Sequence, residues 1–351
     1  MPIPSVSTLA CAIALAQSGA QDTKGSSEPK TEQPPQAPVS SNPGISLVFD
    51  FGGDLMDHQD RRRYDFREIE FGFDSDVDPH LKAQAFVAVA KEDGETVVEV
   101  EEAFGRYGNL GRGLSAKFGK IAAAIGRVQR NHADQFDYLD YPFVTQDTLG
   151  DEGLRSVGGS ISYLLPTSRF SEFTFEAVDA NDGPLFHSAN SGDMVLLGHY
   201  RTFFDFSEDL SAQLGATYAN GPNDNERAQL YGLDYVMKWH PSSTGKSAVF
   251  ETEAYWSNTG QPGDKTTFGW FASLAYQIVP RWFVTVKGDY SELPGTTDVR
   301  RGLSAGLTFK LTEFEHWRLE FQRVASNFAT DKNFLSLQFQ FLIGKHPAHK
   351  Y

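Results

Sequence analysis

What constrains this chain most is a period of two that recurs from residue 44 to the carboxyl end. In "NFLSLQFQFLIG" (333–344), Leu335, Leu337, Phe339, Phe341 and Ile343 fall on one parity, and Ser336, Gln338 and Gln340 on the other. Side chains alternate across an extended strand, so each such stretch has one apolar and one polar face. The pattern returns in "GISLVFDFGG" (44–53), "REIEFGF" (67–73), "HLKAQAFVAVA" (80–90), "TTFGWFASLAYQIVP" (266–280), "RGLSAGLTFKLTE" (301–313) and "HWRLEFQRVASNF" (316–328). Strands of soluble domains average about 5 to 6 residues. Most of these stretches are long enough for a tilted strand that crosses a bilayer, which needs about 9 to 11.

Turn signals divide residues 44–351 into sixteen candidate strands, near 45–53, 62–74, 80–91, 96–106, 113–121, 153–165, 170–180 and 192–206 in the first half. The second half gives 208–220, 227–240, 246–258, 266–279, 281–291, 299–312, 315–327 and 332–344. The alternation breaks at Glu101–Glu102, which predicts a β-bulge. An even strand total is what a closed antiparallel barrel requires, so the expected fold is an all-β transmembrane barrel of about sixteen strands. Links after even-numbered strands are short, as in "VPR" (279–281) and "SED" (207–209). Links after odd-numbered strands are longer and more polar, as in "NDGPLFHSANSG" (181–192), "NGPNDNE" (220–226) and "NTGQPGDK" (258–265). "KEDGE" and "HPSSTGK" depart from that trend. Short turns on the periplasmic side and longer external loops are the habit of bacterial outer-membrane barrels.

The remaining composition removes other classes. No stretch approaches the roughly 18 apolar residues of a transmembrane helix. The net charge of -15 excludes the basic footprint of a nucleic-acid partner, and the single cysteine, Cys11, excludes a disulfide framework. Residues 1–20 end in the small-residue run "LACAIALAQSGA" and read as a signal peptide, although no basic residue precedes Lys24. Residues 21–43 are rich in Pro, Ser, Gln and charge and read as a disordered periplasmic linker, leaving 44–351 for the barrel. Trp239, Trp256, Trp270, Trp282 and Trp317, with Tyr231, Tyr276 and Tyr290, lie mostly towards strand ends, as interfacial aromatic girdles do.

If apolar parity faces lipid, the opposite parity places His199, Arg201, Asp234, Lys238, Glu251, Glu253, Lys287, Asp289, Lys310, Arg318 and Glu320 in the lumen. An Arg or Lys on the lipid side at the midplane would cost about 2 to 4 kcal/mol, which makes parity a usable guide. At least half of these charges are expected to pair across the wall. Tyr255 and Phe271 share the inward parity, where a carbohydrate could stack on them.

The longest link, "AAAIGRVQRNHADQFDYLDYPFVTQDTLGDE" (122–152), follows the fifth strand and is the third external loop. Irregular backbone of that length at membrane depth is tolerated only against protein or beside a water-filled cavity. The link is therefore expected to fold into the lumen, with Arg127, Arg130, His132, Asp134, Asp137 and Asp140 at the constriction. Its acids predict a weak cation preference. An external flap with solvated charges is the alternative.

The stretches "FREIEFGFDSDVDPHLKAQAFVAVAKEDGETVVEVEEAF" (66–104), "LSAKFGKIAAAIGRVQRNHADQFDYLDYPFV" (114–144), "GDEGLRSVGGSISYLLP" (150–166), "LYGLDYVMKW" (230–239) and "IGKHPAHKY" (343–351) occur in an order and spacing that resemble one family. It is the outer-membrane porins of the phosphate-selective O/P type, and more closely the branch labelled zinc-regulated outer-membrane proteins. The resemblance implies a homotrimeric channel in a bacterial outer membrane, bounded by lipid and open to small hydrophilic solutes or ions. The basic ladder of a phosphate-selective pore has no residue-by-residue counterpart here, so an anion-selective porin is the second reading.

No cofactor is expected. Zinc needs three or four converging ligands, and His346 and His349 are separated by Pro347, so no metal centre is expected either. A barrel hydrolase is the rival class, but no GxSxG elbow is present and the adjacent pair His187–Ser188 points to opposite faces in a strand. No catalytic residue is expected.

Overall fold

A computed structural model describes residues 43–56, 64–92, 95–180, 183–190 and 192–344. The expected leader, nearly all of the expected linker, and His346 and His349 lie outside the described residues. Sixteen strands form a closed antiparallel ring in sequence order. They are β1 (Gly44–Asp54), β2 (Asp65–Asp76), β3 (Leu81–Glu92), β4 (Glu95–Tyr107), β5 (Leu114–Ala122), β6 (Arg155–Leu164), β7 (Ser171–Asp179) and β8 (Met194–Ser207). The ring continues with β9 (Leu210–Asn223), β10 (Glu226–Trp239), β11 (Ala248–Asn258), β12 (Thr267–Val279), β13 (Trp282–Glu292), β14 (Val299–Lys310), β15 (Glu315–Ser326) and β16 (Lys332–Gly344). Each expected strand is present, with ends displaced by no more than a few residues. One short helix, α1 (Phe143–Leu149), lies in the longest link.

Closure is made by β1 and β16, paired from Ser46↔Gly344 to Asp54↔Ser336. Phe49 and Phe341 stack across that seam at 4.6 Å. Closing the ring removes the two sheet edges that an open sheet of this size would expose.

One link differs from expectation. The residues expected as a loop at 220–226 are mostly strand, because β9 runs on to Asn223 and β10 begins at Glu226. The reversal is confined to Asp224 and Asn225, with Asp224 at φ 52°, a left-handed conformation that Asp tolerates better than most residues. Polar composition resembled a loop, but cross-strand pairing overrode it.

The outer surface is apolar at mid-strand. Phe175, Leu214, Leu233, Leu274, Val286, Leu303 and Leu319 are exposed there. Aromatic pairs flank this band at both ends: Tyr218–Tyr231 at 5.0 Å and Trp256–Phe268 at 5.2 Å on one side, Trp282–Phe309 at 4.8 Å and Trp317–Phe339 at 4.3 Å on the other. This is the exterior of a barrel whose solvent is hydrocarbon. Reconstituted protein should accordingly show tryptophan fluorescence quenched more by lipids brominated near the headgroup than by lipids brominated at the chain ends. Quenching by an aqueous quencher alone would contradict the lipid-facing assignment.

Two bulges shape the inner wall. Asp50 pairs with Glu68 and Phe51 with Phe66, so Arg67 is an extra residue in β2. Phe86 pairs with Glu102 and Val87 with Val100, so Glu101 is an extra residue in β4. A bulge places neighbouring side chains on one face, and here Glu101 and Glu102 are both buried on the inside. The broken alternation at Glu101–Glu102 has this cause.

Candidate functional site

Residues 123–154 join β5 to β6 and make little regular structure of their own. Their backbone groups must find partners elsewhere, since an unpaired buried amide or carbonyl is costly. The partners are polar side chains of the inner wall, most of them charged. Ala124 N donates to Glu176 of β7 at 2.7 Å, and Gly126 N to Thr217 Oγ1 of β9 at 3.2 Å. Arg127 N and Val128 N both donate to Glu253 of β11, at 2.5 and 2.7 Å. Leu139 N donates to Glu320 of β15 at 3.1 Å, and Phe143 N to Asp289 of β13 at 3.2 Å. In the other direction, Arg318 of β15 donates to the carbonyls of Phe136 and Tyr138 at 2.6 and 2.8 Å, and Lys287 of β13 to that of Asp140 at 3.1 Å. Gln340 of β16 donates to the carbonyl of Asp134 at 3.1 Å. A segment bonded to β7, β9, β11, β13, β15 and β16 at once runs through the interior of the ring.

Gly126 makes the entry possible. Its φ is 67°, and a Cβ there would sit 2.6 Å from a carboxylate oxygen of Glu253. Only a residue without a side chain lets Glu253 reach the next two amides.

Apolar packing adds to these bonds. Val128, Phe136, Tyr138, Tyr141, Val144 and Leu149 of the segment are buried against Ile121, Leu197, Leu230, Tyr255 and Phe271. Full burial of such a side chain contributes about 1.5 to 3 kcal/mol. Tyr255 and Phe271, whose inward parity left carbohydrate stacking open, are therefore covered: Phe271 meets Tyr138 edge-on at 6.0 Å, and Tyr255 donates to Glu253 at 2.6 Å.

At the middle of the segment sits an ionic anchor. His132 Nδ1 is 2.7 Å from Glu70 Oε2 and 2.7 Å from Glu101 Oε2, and its Nε2 is 3.0 Å from Glu102 Oε1. Arg155 stands behind, 3.4 Å from Glu102, and donates to Tyr141 Oη at 2.9 Å. Burial and the neighbouring Arg155 charge oppose a positive imidazole, but the three carboxylates outweigh both and hold His132 well above its ordinary range. Glu70, Glu101 and His132 also bring ligand atoms together closely enough for a cation, and Glu68, Glu101 and Glu152 do the same. In the structure the first group already forms the ion pairs just described.

The sequence-predicted site residues thus divide. Arg127 pairs with Glu251 at 2.9 Å, Asp140 with Arg67 at 3.0 Å, and Asp137 lies 3.6 Å from Lys310. Arg130 donates to its own chain at Gly126 O, and burial together with the nearby Arg201 and Arg127 charges pushes its pKa down to about 10. Asp134 contributes its carbonyl, as described. His132 is 2 % exposed, so it is an anchor and not a wall of open water. Among the expected lumen residues, Glu253, Lys287, Asp289, Arg318 and Glu320 are buried under the segment. His199 bonds Thr217 at 2.8 Å beside buried Asp234, and Arg201 pairs with Glu172 at 2.7 Å. Parity placed all of these on the inside, but it could not show that protein would cover most of them. Missing from the expected set were Arg67, Glu70, Glu101, Glu102, Arg155, Glu176 and Arg300. Arg300 pairs with Asp147 at 2.6 Å and stacks over Phe143 at 4.0 Å, fixing α1. Only the Glu101–Glu102 pair had left a mark on the sequence pattern.

Comparison with known proteins agrees with this architecture. No family model matches the chain. An uncharacterized protein of Aquifex aeolicus is 25 % identical over 341 residues, covering 83 % of this chain and 71 % of the relative. Among solved structures, the anion-selective porin of Comamonas acidovorans superposes with TM-score 0.59 at 10 % identity, covering 87 % of this chain and 99 % of that one. The trimer form of OmpT, an outer membrane protein of Vibrio cholerae, gives 0.55 at 10 % identity, covering 86 % and 99 %. The chain has the sixteen-stranded barrel fold of these outer-membrane proteins.

Proposed function

We propose that this protein is an outer-membrane porin through which small hydrophilic solutes or ions diffuse, narrowed by residues 123–154. The observation that carries this reading is the closed sixteen-stranded ring with an apolar exterior and an inner wall of charges. A barrel of this strand number leaves an aqueous channel unless something fills it. The half-buried charges of the segment and wall, among them Asp137 and Lys310, set a field of both signs across the passage. The net acidity makes weak cation preference the expected balance, and the pairing of Asp137, Asp140, Asp147 and Glu251 with Arg or Lys keeps it weak. Trimeric assembly is part of the proposal, supported by the trimer form of the Vibrio protein. Kinship with the phosphate-selective O/P type rests on the sequence stretches quoted above.

Planar-bilayer recording tests it. The full chain should give discrete conductance steps, with a reversal potential in a salt gradient shifted modestly towards the cation value. A shift towards the anion value would replace the charge reading with the anion-selective one, and an absence of steps would defeat the channel reading. An enzyme is not favoured, since Ser188 Oγ donates to Asp193 at 2.6 Å while the neighbouring His187 faces Asp224 at 3.4 Å.

A further inference from the structure

A recess of about 320 Å³ lies in the inner wall beside the segment. Phe203 of β8, Ser211 and Gln213 of β9, and Val236 and Lys238 of β10 line it, and Arg127 of the segment borders it. Its volume falls at the lower end of small-molecule sites. Two features set it apart. Phe203 and Val236 place apolar surface on a wall whose inward parity is otherwise largely polar away from the packed segment. Arg127 and Lys238 bring two cations to the same space, with the carboxylates of Glu251 and Asp137 nearby but outside its lining.

Arg127 commits its Nε to Glu251, and its two terminal nitrogens carry further donors in a fixed fork. Gln213 donates to Asp234 at 3.4 Å, leaving its carbonyl oxygen as an acceptor. Asp234 itself is buried at 1 % exposure and does not line the recess.

We infer that this recess binds small organic carboxylates, with the carboxylate between Arg127 and Lys238 and an aromatic or branched body against Phe203 and Val236. The inference rests on the channel reading for access, because the recess faces the bore. Inorganic phosphate satisfies the cations but offers nothing to the apolar side. A neutral aromatic alcohol satisfies only the apolar side, and an aromatic ammonium finds no carboxylate in the lining to receive its charge. A weak overall cation preference is compatible with this site, because reversal potential reports the whole path and binding reports one wall.

The test uses the reconstituted full chain and four probes: benzoate, inorganic phosphate, benzyl alcohol and benzylammonium. Benzoate should reduce the current at concentrations about tenfold below phosphate, and the other two should have little effect. Lys238→Gln should raise the half-blocking benzoate concentration about tenfold. Phe203→Ser should weaken benzoate block and leave phosphate unchanged. Equal block by phosphate and benzoate, block by benzyl alcohol as strong as by benzoate, or no effect of any probe on a conducting channel would overturn the site. If the protein does not conduct, calorimetric titration of the solubilised barrel with benzoate and phosphate still decides whether the recess binds, separately from the channel reading.

Discussion

Replacing residues 127–150 with a short Gly-Ser linker is expected to raise single-channel conductance several-fold while leaving the barrel folded. The segment crosses the interior, and sixteen-stranded rings without a filling enclose an aqueous channel. Strand pairing does not depend on it, because every neighbour pair from β1 to β16 is joined by its own ladder. The wall charges it leaves behind, Glu253, Glu320, Asp289, Arg318 and Lys287, would be exposed to water and not to apolar protein. Hydration then replaces their lost hydrogen bonds, so the desolvation penalty that punishes an orphaned buried charge does not arise. The measurement is bilayer conductance together with the heat-dependent gel mobility that reports an intact barrel. An intact barrel with unchanged conductance would show that the segment does not control the passage.

His132→Ala should act more locally and in the opposite electrical sense to a simple cavity. Glu70, Glu101 and Glu102 converge on one imidazole, and its removal takes away the cation that all three buried carboxylates share. Removing one partner of a buried ion pair costs about 3 to 5 kcal/mol. The apolar burial of Val128, Phe136, Tyr138 and Leu149 contributes more than that in sum, at about 1.5 to 3 kcal/mol each. The segment should therefore stay inside, but residues around 130–137 should fluctuate, and open-channel noise should rise several-fold. Adding Glu70→Gln and Glu101→Gln should quieten it again by removing the repulsion. Unchanged noise in His132→Ala would mean that the ionic anchor does not restrain the passage.

The pH dependence of this anchor has a definite sign. The three carboxylates raise the imidazole above its unfolded value near 6.5. Its contribution is thus fully present below about pH 6.5 and is lost only as pH rises through the higher folded-state value. Noise in the unaltered channel should grow on the alkaline side of neutrality, and His132→Ala should lack that alkaline increment.

Much of this architecture was legible in the chain. Leu335, Leu337, Phe339 and Phe341 announced β16 and its lipid face, and the same parity rule located the other strands. Parity also assigned Glu251, Glu253, Arg318 and Glu320 to the inside. It failed at Asn220–Glu226, where polar residues suggested a loop and strand pairing made a tight turn. The bulge at Glu101 was visible as a broken rhythm, whereas the bulge at Arg67 was not, because Arg67 and Glu68 are both polar and blur the register.

The sequence by itself determined the number of strands, their register of faces and the closed ring, because alternation is a property of neighbours along the chain and hydrocarbon tolerates only a closed sheet. Only the tertiary structure decided which inward charges meet water. That depends on where residues 123–154 lie, and their position is fixed by partners far away in sequence: His132 with Glu70, Phe136 with Arg318, Val128 with Glu253. An irregular segment must borrow its hydrogen bonds from whatever surrounds it, and no local pattern records the lender.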